Sequence, residues 1–478
     1  MTSTIELPVW LAILAAILTA TAVFSHLLMP GYRWFMRRRV EQVIDDVNTR
    51  LNLELPPFML TRRSALIDRL VYDPRVMEAI GEEAERTGLQ REEIARQAEA
   101  YAREIVPGFN AYFYFRVGYS IARRFLRFFY RVRIGHTDDA ALAELDPNAC
   151  IVMVMNHRSN FDYLLVTYLA SRKSALSYAA GEWTLFWPMG NLLRAMGAYF
   201  VRRGSDSPLY RQVLKAYVQM AVKGRVPQGI YPEGALSRDG ALQPPKLGLL
   251  DYMTQDFDPG GEHDIIFIPV GINYERVVED QGLTMNQDEH MISKRGTLFV
   301  LKSAFGFLLK STPELAYRRR TRFGRACANF GAPVSLREWM NEKSIDLRRL
   351  ERQERFGYVA RLADELMDDI GELIPVLPVS LVATAFWESP ERSFSMLDLK
   401  ARAHQLVMLF EKSAAHVYLP HGEESLALED GLKRPLAPRM IREIGPGRYA
   451  INENERTLLE FYVRPVLHYL PENHAGTG

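Results

Sequence analysis

Short apolar runs alternate with amphipathic segments between residues 146 and 334, and this alternation restricts the possible folds more than any other feature of the sequence. Residues 150–155 are an uninterrupted apolar run, as expected of a strand buried on both faces of a sheet. This βαβα order predicts an α/β domain with a mixed, largely parallel sheet flanked by helices. The predicted strands are residues 150–155, 175–180, 196–201, 229–231 and 264–272.

The chain has 478 residues, which is too many for one small domain, so several units are expected. We divide it into a membrane anchor with a basic flank at 1–39, a helical region at 40–135, the α/β domain at 136–334 and a mostly helical C-terminal domain at 335–478.

Residues 7–29 contain no Asp, Glu, Lys or Arg and are long enough to cross a bilayer as a helix. Arg33 and residues 37–39, which are all arginine, follow this stretch, whereas no Lys or Arg precedes it. The positive-inside rule then predicts a single-pass protein of the cytoplasmic membrane, with everything after Arg33 on the cytoplasmic face. A signal peptide cleaved near Ala20 and Ala22 is the alternative, although the positive n-region of such peptides is missing.

Residues 112–134 combine six arginines with many aromatic side chains. Arg116, Arg123, Arg127 and Arg131 recur at helical spacing, so the sequence predicts a basic amphipathic helix. Such a helix can lie in the lipid headgroup layer, as a membrane-interface helix. It can equally be a core helix with a solvated cationic face, and the sequence alone leaves both readings open.

The overall composition indicates no polyanionic partner, because the net charge is only +1 and no nucleic-acid-binding motif accompanies the arginines. Cys150 and Cys327 are the two cysteines, and their spacing is typical neither of a disulfide framework nor of a metal site. No metal, cofactor or nucleic acid is therefore predicted.

His157 and Asp162 follow directly after the predicted strand 150–155, and active sites of α/β sheets form at such strand ends. A histidine on the loop and an aspartate in the first helical turn can meet, so that the carboxylate orients an imidazole acting as a general base. The alternative is structural: with Ser159 as N-cap, Asp162 falls at position N3 of a capping pattern, where its carboxylate satisfies helix N–H groups and has no catalytic role.

Cationic side chains follow other predicted strands of the same domain. Arg202 and Arg203 come after strand 196–201, and Arg238 and Lys246 come after strand 229–231. Because parallel strands end at one edge of a sheet, these groups are expected near His157, where arginine can bind phosphate in a bidentate manner. The sequence therefore predicts a site for a phosphorylated substrate.

Four blocks in this order resemble the glycerolipid acyltransferase superfamily, most closely its bacterial membrane glycerol-3-phosphate acyltransferases. His157 and Asp162 match the catalytic His-x4-Asp pair of that family. Residues 197–203 match the second block, whose final arginine is implicated in glycerol-phosphate binding. The third and fourth blocks are matched by Glu233, Gly234, Ser237, Arg238, Gly240 and Pro269.

The resemblance implies transfer of a fatty acyl chain from acyl-CoA or acyl-carrier protein to the sn-1 hydroxyl of glycerol 3-phosphate. The product would be lysophosphatidic acid, made at a phospholipid membrane. Residues 136–334 would then be the catalytic domain, with Arg202, Arg203, Glu233, Gly234, Ser237, Arg238, Lys246 and Pro269 as substrate-binding residues.

Leu236 departs from the family pattern, which usually has arginine two residues after the glycine of the third block. Acylation of lysophosphatidic acid at sn-2, or of dihydroxyacetone phosphate, by the same machinery is therefore an alternative. A non-catalytic membrane lipid-binding protein is a second alternative, and the joint presence of His157, Asp162, Arg203 and Glu233 argues against it.

Overall fold

The computed structural model describes residues 55–170, 175–181, 189–202, 204–284, 323–419 and 437–471. The predicted anchor at 7–29 and its signal-peptide alternative lie outside these residues. Among the helices that the structure describes, none is both long and apolar enough to cross a membrane.

The N-terminal part of the described chain is helical, as the sequence predicts. In α3 and α4, apolar residues four positions apart, such as Val76 with Ile80 and Ile94 with Ala98, are fully buried. The bounds are Pro57–Leu60 (α1), Arg63–Val71 (α2), Pro74–Thr87 (α3) and Arg91–Ile105 (α4).

The basic segment forms a helix for only part of its predicted length. A π-helical turn, Phe113–Gly118, leads into α5, Tyr119–Phe129. The extension of the helix towards residue 134 is wrong, because Arg131–Thr137 is an extended strand, β1, that pairs in parallel with a later strand. The sheet thus begins before the predicted domain start at residue 136.

Eight strands of the described chain form one mixed sheet in the order β1-β7-β6-β2-β5-β3-β4, with β8 also paired to β6. Strands β6, β2, β5, β3 and β4 run parallel, whereas β7 and β8 are antiparallel to β6. The predicted fold class is confirmed in this respect. The later strands are Cys150–Met155 (β2), Ser177–Gly181 (β3), Tyr199–Val201 (β4), Gln228–Ile230 (β5), Ile265–Tyr274 (β6), Arg325–Phe330 (β7) and Val334–Ser335 (β8).

Helices cover both faces of the sheet. Among the connecting helices that the structure describes, α9 is the longest, and it begins at Pro208 with the Ser207 hydroxyl accepting the backbone N–H of Tyr210. The connecting helices are Asp139–Ala143 (α6), Asp162–Ala170 (α7), Met189–Ala195 (α8), Pro208–Lys223 (α9), Gly248–Thr254 (α10) and Asp280–Thr284 (α11).

The C-terminal part is mostly helical and carries an antiparallel hairpin, to which a short third strand is added. Its helices are Leu336–Glu342 (α12), Arg352–Leu373 (α13), Pro378–Trp387 (α14), Met396–Lys412 (α15), Ala437–Met440 (α16) and Arg456–Val463 (α17). Its strands are Phe394–Ser395 (β9), Ile441–Gly445 (β10) and Arg448–Ile451 (β11). Single 3-10 turns are Leu347–Arg349, Glu453–Glu455 and Arg464–Tyr469.

Two hydrophobic cores lie on the two faces of the sheet, and alternate residues of β2 belong to each. Val152 and Val154 pack with α3, α4, α9 and α13. Met153 and Met155 pack with α5, α14, α15 and α17. Because helices from beyond residue 335 contribute to both cores, the C-terminal part and the sheet fold around shared apolar surface.

Candidate active site

His157 lies two residues beyond the C-terminal end of β2, and the chain between them is fixed by Asn156. The Asn156 amide nitrogen donates to the carbonyl of Ile272 over 2.9 Å, and its oxygen accepts the Ile272 N–H over 2.7 Å. This pair of hydrogen bonds to the neighbouring strand β6 sets the point at which the chain leaves the sheet. The position agrees with the expectation for a site at the carboxyl edge of parallel strands.

The His157 imidazole and the Asp162 carboxylate meet, as the sequence predicts. His157 Nδ1 lies 2.9 Å from Asp162 Oδ2, and both side chains are almost fully buried. An ionised carboxylate only accepts hydrogen bonds, so Nδ1 carries the proton and Nε2 is left with the basic lone pair. Because His157 also lines a cavity, the pair can present a general base to a bound substrate.

Asp162 is held by four donors in total. Its Oδ2 also accepts the backbone N–H groups of Arg158 (2.8 Å) and Ser159 (3.0 Å). Its Oδ1 accepts the Tyr274 hydroxyl from β6 over 2.6 Å. The carboxylate therefore organises the loop and orients His157 at the same time.

The predicted capping geometry is wrong, because α7 begins at Asp162 and not at Ser159. The N–H groups that Asp162 satisfies belong to the loop before the helix. Ser159 instead donates its hydroxyl to Glu279 Oε2 over 2.8 Å and accepts the N–H of Phe161. Neither alternative from the sequence was thus complete: Asp162 satisfies backbone N–H groups and also binds the imidazole.

The loop after β5 is tied to the loop that carries His157. Glu233 Oε1 accepts the N–H of His157 over 2.6 Å, and Oε2 accepts the N–H of Gln243 over 2.9 Å. The Ser237 N–H donates to the His157 carbonyl over 3.0 Å. Burial raises the pKa of Glu233 to about 7, although these backbone N–H groups act in the opposite direction. Gly234 turns at a φ of +71°, in the left-handed region that favours glycine.

A cavity of about 550 Å³ opens beside His157. Its polar lining comprises His157, Arg202, Ser205, Arg211, Glu233 and Lys246. Most other lining side chains are apolar and include Val154, Val201, Leu214, Ile230, Leu249, Leu250, Ala363 and Leu366. Such a cavity can hold a small polar group near the base and an apolar chain alongside it.

The predicted cations do not all converge on this cavity. Lys246 is exposed and lines it, whereas Arg238 is exposed and is not among its lining residues. Arg202 lines the cavity but makes a bidentate pair with Glu104 of α4, with contacts of 2.7 and 2.5 Å. Arg203 lies outside the described residues.

Pro269 is a substrate-binding residue in the prediction, and the structure places it inside β6. It pairs in register with Val154 of β2, and its carbonyl accepts the N–H of Gly331 over 2.9 Å. It is buried and is not among the residues that line the cavity. Its contacts therefore position the strand that carries Tyr274.

The sequence did not identify Tyr274, Glu279 or Arg158. Tyr274 and Glu279 bind the loop after β2 from distant positions in the chain, and Arg158 is a buried residue of that loop. The Arg158 guanidinium is buried, donates to the carbonyl of Gly240 over 2.9 Å and stacks on the ring of Phe461 at 4.4 Å. Only the adjacency of Arg158 to His157 was a possible signal, and a fully buried arginine is not expected from sequence. Within the described stretches, no three His, Cys, Asp or Glu side chains come together as a metal site.

Comparison with known proteins agrees with this geometry. Residues 138–273, which include His157 and Asp162, match the acyltransferase family model. Residues 313–471 match the model of the glycerol-3-phosphate acyltransferase C-terminal region. In its sheet, its site and the first match, the chain resembles proteins of the acyltransferase class.

Within that class, the resemblance to the glycerol-3-phosphate acyltransferases is confirmed. Proteins named glycerol-3-phosphate acyltransferase from Pseudomonas syringae pv. syringae and Ectopseudomonas mendocina are 29% and 28% identical over 86% of this chain. The chain spans about half the length of these relatives, 49% in each case. The 1-acyl-sn-glycerophosphate (LPA) acyltransferase of Thermotoga maritima aligns with 64% of the chain at 15% identity and a TM-score of 0.29, too low to define a common fold.

Proposed function

We propose that this chain is an O-acyltransferase that moves an acyl group from a thioester to the sn-1 hydroxyl of glycerol 3-phosphate, giving lysophosphatidic acid. The observation that carries the proposal is the buried His157–Asp162 pair at 2.9 Å, on the edge of a cavity that is both apolar and cationic. The names of the relatives support the choice of acceptor.

In the proposed reaction, His157 Nε2 takes the proton of the acceptor hydroxyl while the hydroxyl oxygen attacks the thioester carbonyl. Asp162 stabilises the imidazolium that forms. Collapse of the tetrahedral intermediate breaks the carbon–sulfur bond, and the leaving thiolate takes the proton back from the imidazolium as a free thiol. No acyl-enzyme is needed, because the acceptor oxygen is itself the nucleophile.

Both substrates have chemical counterparts in the cavity. The apolar lining suits the acyl chain of acyl-CoA or acyl-carrier protein. Lys246 and Arg211 suit the acceptor phosphate, with Arg203 as a further proposed ligand. Leu236 packs against the hydrophobic core, so the arginine usual at that position has no counterpart there.

The experiment that tests this function is an assay of the full-length chain in detergent or nanodiscs with one labelled acyl-thioester. Glycerol 3-phosphate, lysophosphatidic acid and dihydroxyacetone phosphate are offered separately as acceptors. We expect turnover with glycerol 3-phosphate and none with His157→Ala. Preferred use of another acceptor would overturn the acceptor assignment, and near-normal turnover by His157→Ala would overturn the role of the base.

Membrane binding forms the second part of the proposal, with residues 7–29 as a single-pass anchor and the catalytic part on the cytoplasmic face. Residues 105–137 contain no acidic side chain. The arginines of α5 and β1 are exposed, together with Ile121 (51%) and Ile134 (50%). We name the members of this set that lie on α5 the basic face: Ile121, Arg123, Arg124 and Arg127. Its chemistry matches an anionic lipid surface.

Charge reversal of the basic face tests this surface. Wild type in nanodiscs is expected to be more active with anionic than with purely zwitterionic lipid, and Arg123→Glu combined with Arg127→Glu is expected to remove the difference. Arg91→Glu combined with Arg96→Glu, which reverses two exposed arginines of α4, is the matched control and should respond like wild type. An unchanged lipid response of the α5 variant would contradict the assignment.

A further inference from the structure

Tyr231 lies directly after β5 and stacks on the imidazole of His157. The two ring centroids are 4.2 Å apart, and the planes are inclined by 26°. Tyr163 contacts both rings edge-on, at 5.8 Å from His157 and 5.1 Å from Tyr231. One face of the imidazole is therefore covered by an aromatic ring, while its Nδ1 edge is bound by Asp162.

The stacked geometry has an electrostatic consequence for proton transfer. The face of an aromatic ring is electron-rich and attracts a cation, most strongly where water is excluded. Tyr231 is only 8% exposed and His157 only 2%. The imidazole is neutral when the acceptor binds and becomes cationic as the acceptor loses its proton. The interaction with Tyr231 thus strengthens towards the transition state, which is the condition for lowering the barrier.

We propose that Tyr231 is a positioning residue of the acyl transfer, whose ring fixes the plane of His157 and stabilises the imidazolium that forms there. This inference rests on the proposed function, since it needs His157 to act as the base. It assigns the role to the aromatic ring and not to the phenol group.

The hydroxyl of Tyr231 has no part in this role. It is buried, and it has no hydrogen-bond partner among the residues that the structure describes. Tyr231→Phe keeps the ring and removes the hydroxyl, whereas Tyr231→Leu removes the ring and keeps an apolar side chain. The two variants therefore separate stacking from hydrogen bonding.

Tyr178→Leu is the matched control for lost packing. Tyr178 is a buried tyrosine of the same hydrophobic core, contacts Tyr163 at 5.5 Å and is not among the cavity-lining residues. Its truncation also removes the hydrogen bond between the Tyr178 hydroxyl and Thr167, so it should lower thermal stability at least as much as Tyr231→Leu does.

Steady-state kinetics, with the concentrations of both substrates varied, measure kcat and the two Michaelis constants of each variant. We expect Tyr231→Leu to lower kcat about fivefold to tenfold, with both Michaelis constants within about twofold of wild type. Tyr231→Phe should retain wild-type kcat, and so should Tyr178→Leu at a temperature where it is folded.

The other possible results each contradict one claim of this proposal. Wild-type kcat in Tyr231→Leu, or an equal loss in Tyr178→Leu, would overturn the positioning role. A Tyr231→Phe variant as impaired as Tyr231→Leu would transfer the role to the hydroxyl. A wild-type chain that acylates none of the acceptors would overturn the proposed function and this inference with it, whereas an active wild type isolates the test of Tyr231.

Discussion

At the scale of single residues, Asp162 combines a structural and a chemical task that the sequence presents as alternatives. One oxygen accepts the imidazole N–H and two backbone N–H groups, and the other accepts the Tyr274 hydroxyl. A substitution at Asp162 disturbs both tasks, whereas Tyr274 contacts only the far oxygen. Variants at Asp162 and Tyr274 can therefore distinguish the orientation of His157 from the formation of the loop.

Asp162→Asn is expected to lower kcat by about a thousandfold or more, because an amide cannot stabilise the imidazolium and can present the wrong group to Nδ1. Tyr274→Phe should lower kcat by only about threefold to tenfold, since a single hydrogen bond to the carboxylate is lost. Turnover and thermal unfolding of both variants are the measurements. Loss of stability without loss of turnover in Asp162→Asn would reduce Asp162 to its structural task.

At the scale of elements, an ion pair joins α4, one of the N-terminal helices, to the end of β4. Glu104 binds Arg202 in a bidentate manner, and the guanidinium lies 5.2 Å from the ring of Tyr101 and 5.4 Å from that of Tyr210. The pair with Glu104 raises the pKa of Arg202 and neutralises its charge locally. Lys246, on the loop before α10, is an exposed cation of the same cavity.

A comparison of Arg202→Gln with Lys246→Gln tests this division of roles. Lys246→Gln should raise the Michaelis constant for glycerol 3-phosphate about tenfold, because a cation that faces the phosphate is lost. Arg202→Gln should raise it less than about threefold and should mainly lower the melting temperature. The reverse order of the two acceptor effects would show that Arg202 exchanges Glu104 for the phosphate.

At the scale of the whole molecule, the C-terminal part packs against the loop that carries His157, and buried carboxyl groups lie at this junction. Arg158 stacks on Phe461 of α17, and Asp239 binds Arg464 over 2.7 Å. Tyr462 of α17 accepts the N–H of Val277 and donates to Asp280. Burial raises the pKa of Glu279, next to Asp280, to about 7.

The raised pKa of Glu279 predicts how stability depends on pH. In the unfolded chain this carboxyl titrates near 4.5, so between about pH 4.5 and 7 the folded state binds more protons. The free energy of unfolding should therefore fall as pH rises through this window and level off above it. The glutamine of Glu279→Gln cannot ionise. The decrease in the free energy of unfolding across this window should therefore be smaller by roughly 3 kcal/mol.

Chemical denaturation in detergent at pH 5 and pH 8 measures this difference. Glu262, which is 93% exposed, supplies the control, and Glu262→Gln should keep the wild-type pH dependence. Glu233 contributes in the same direction and is retained in both variants, so the fall is reduced and not abolished. An identical pH dependence in wild type and Glu279→Gln would contradict the prediction.

Local patterns account for what the sequence determined. An apolar run specifies a buried strand by its own side chains, and His157 and Asp162 meet because they are only five positions apart. The order of the four blocks then indicated the resemblance to the acyltransferases. The end of the basic helix at Phe129 was not predictable in this way, because pairing of β1 with β7 sets it, and those strands are distant in the sequence.

The remaining features of the site were decided by the tertiary structure alone. Tyr274 meets Asp162 across 112 residues, Glu104 meets Arg202 across 98, and Glu233 meets the His157 backbone across 76. These contacts depend on which strands become neighbours in the sheet and on where α4 packs against it. Both are set by the packing of the two cores and not by any local run of residues. The sequence therefore determined that His157 and Asp162 lie together, whereas the fold decided which side chains hold them and which cations line the cavity.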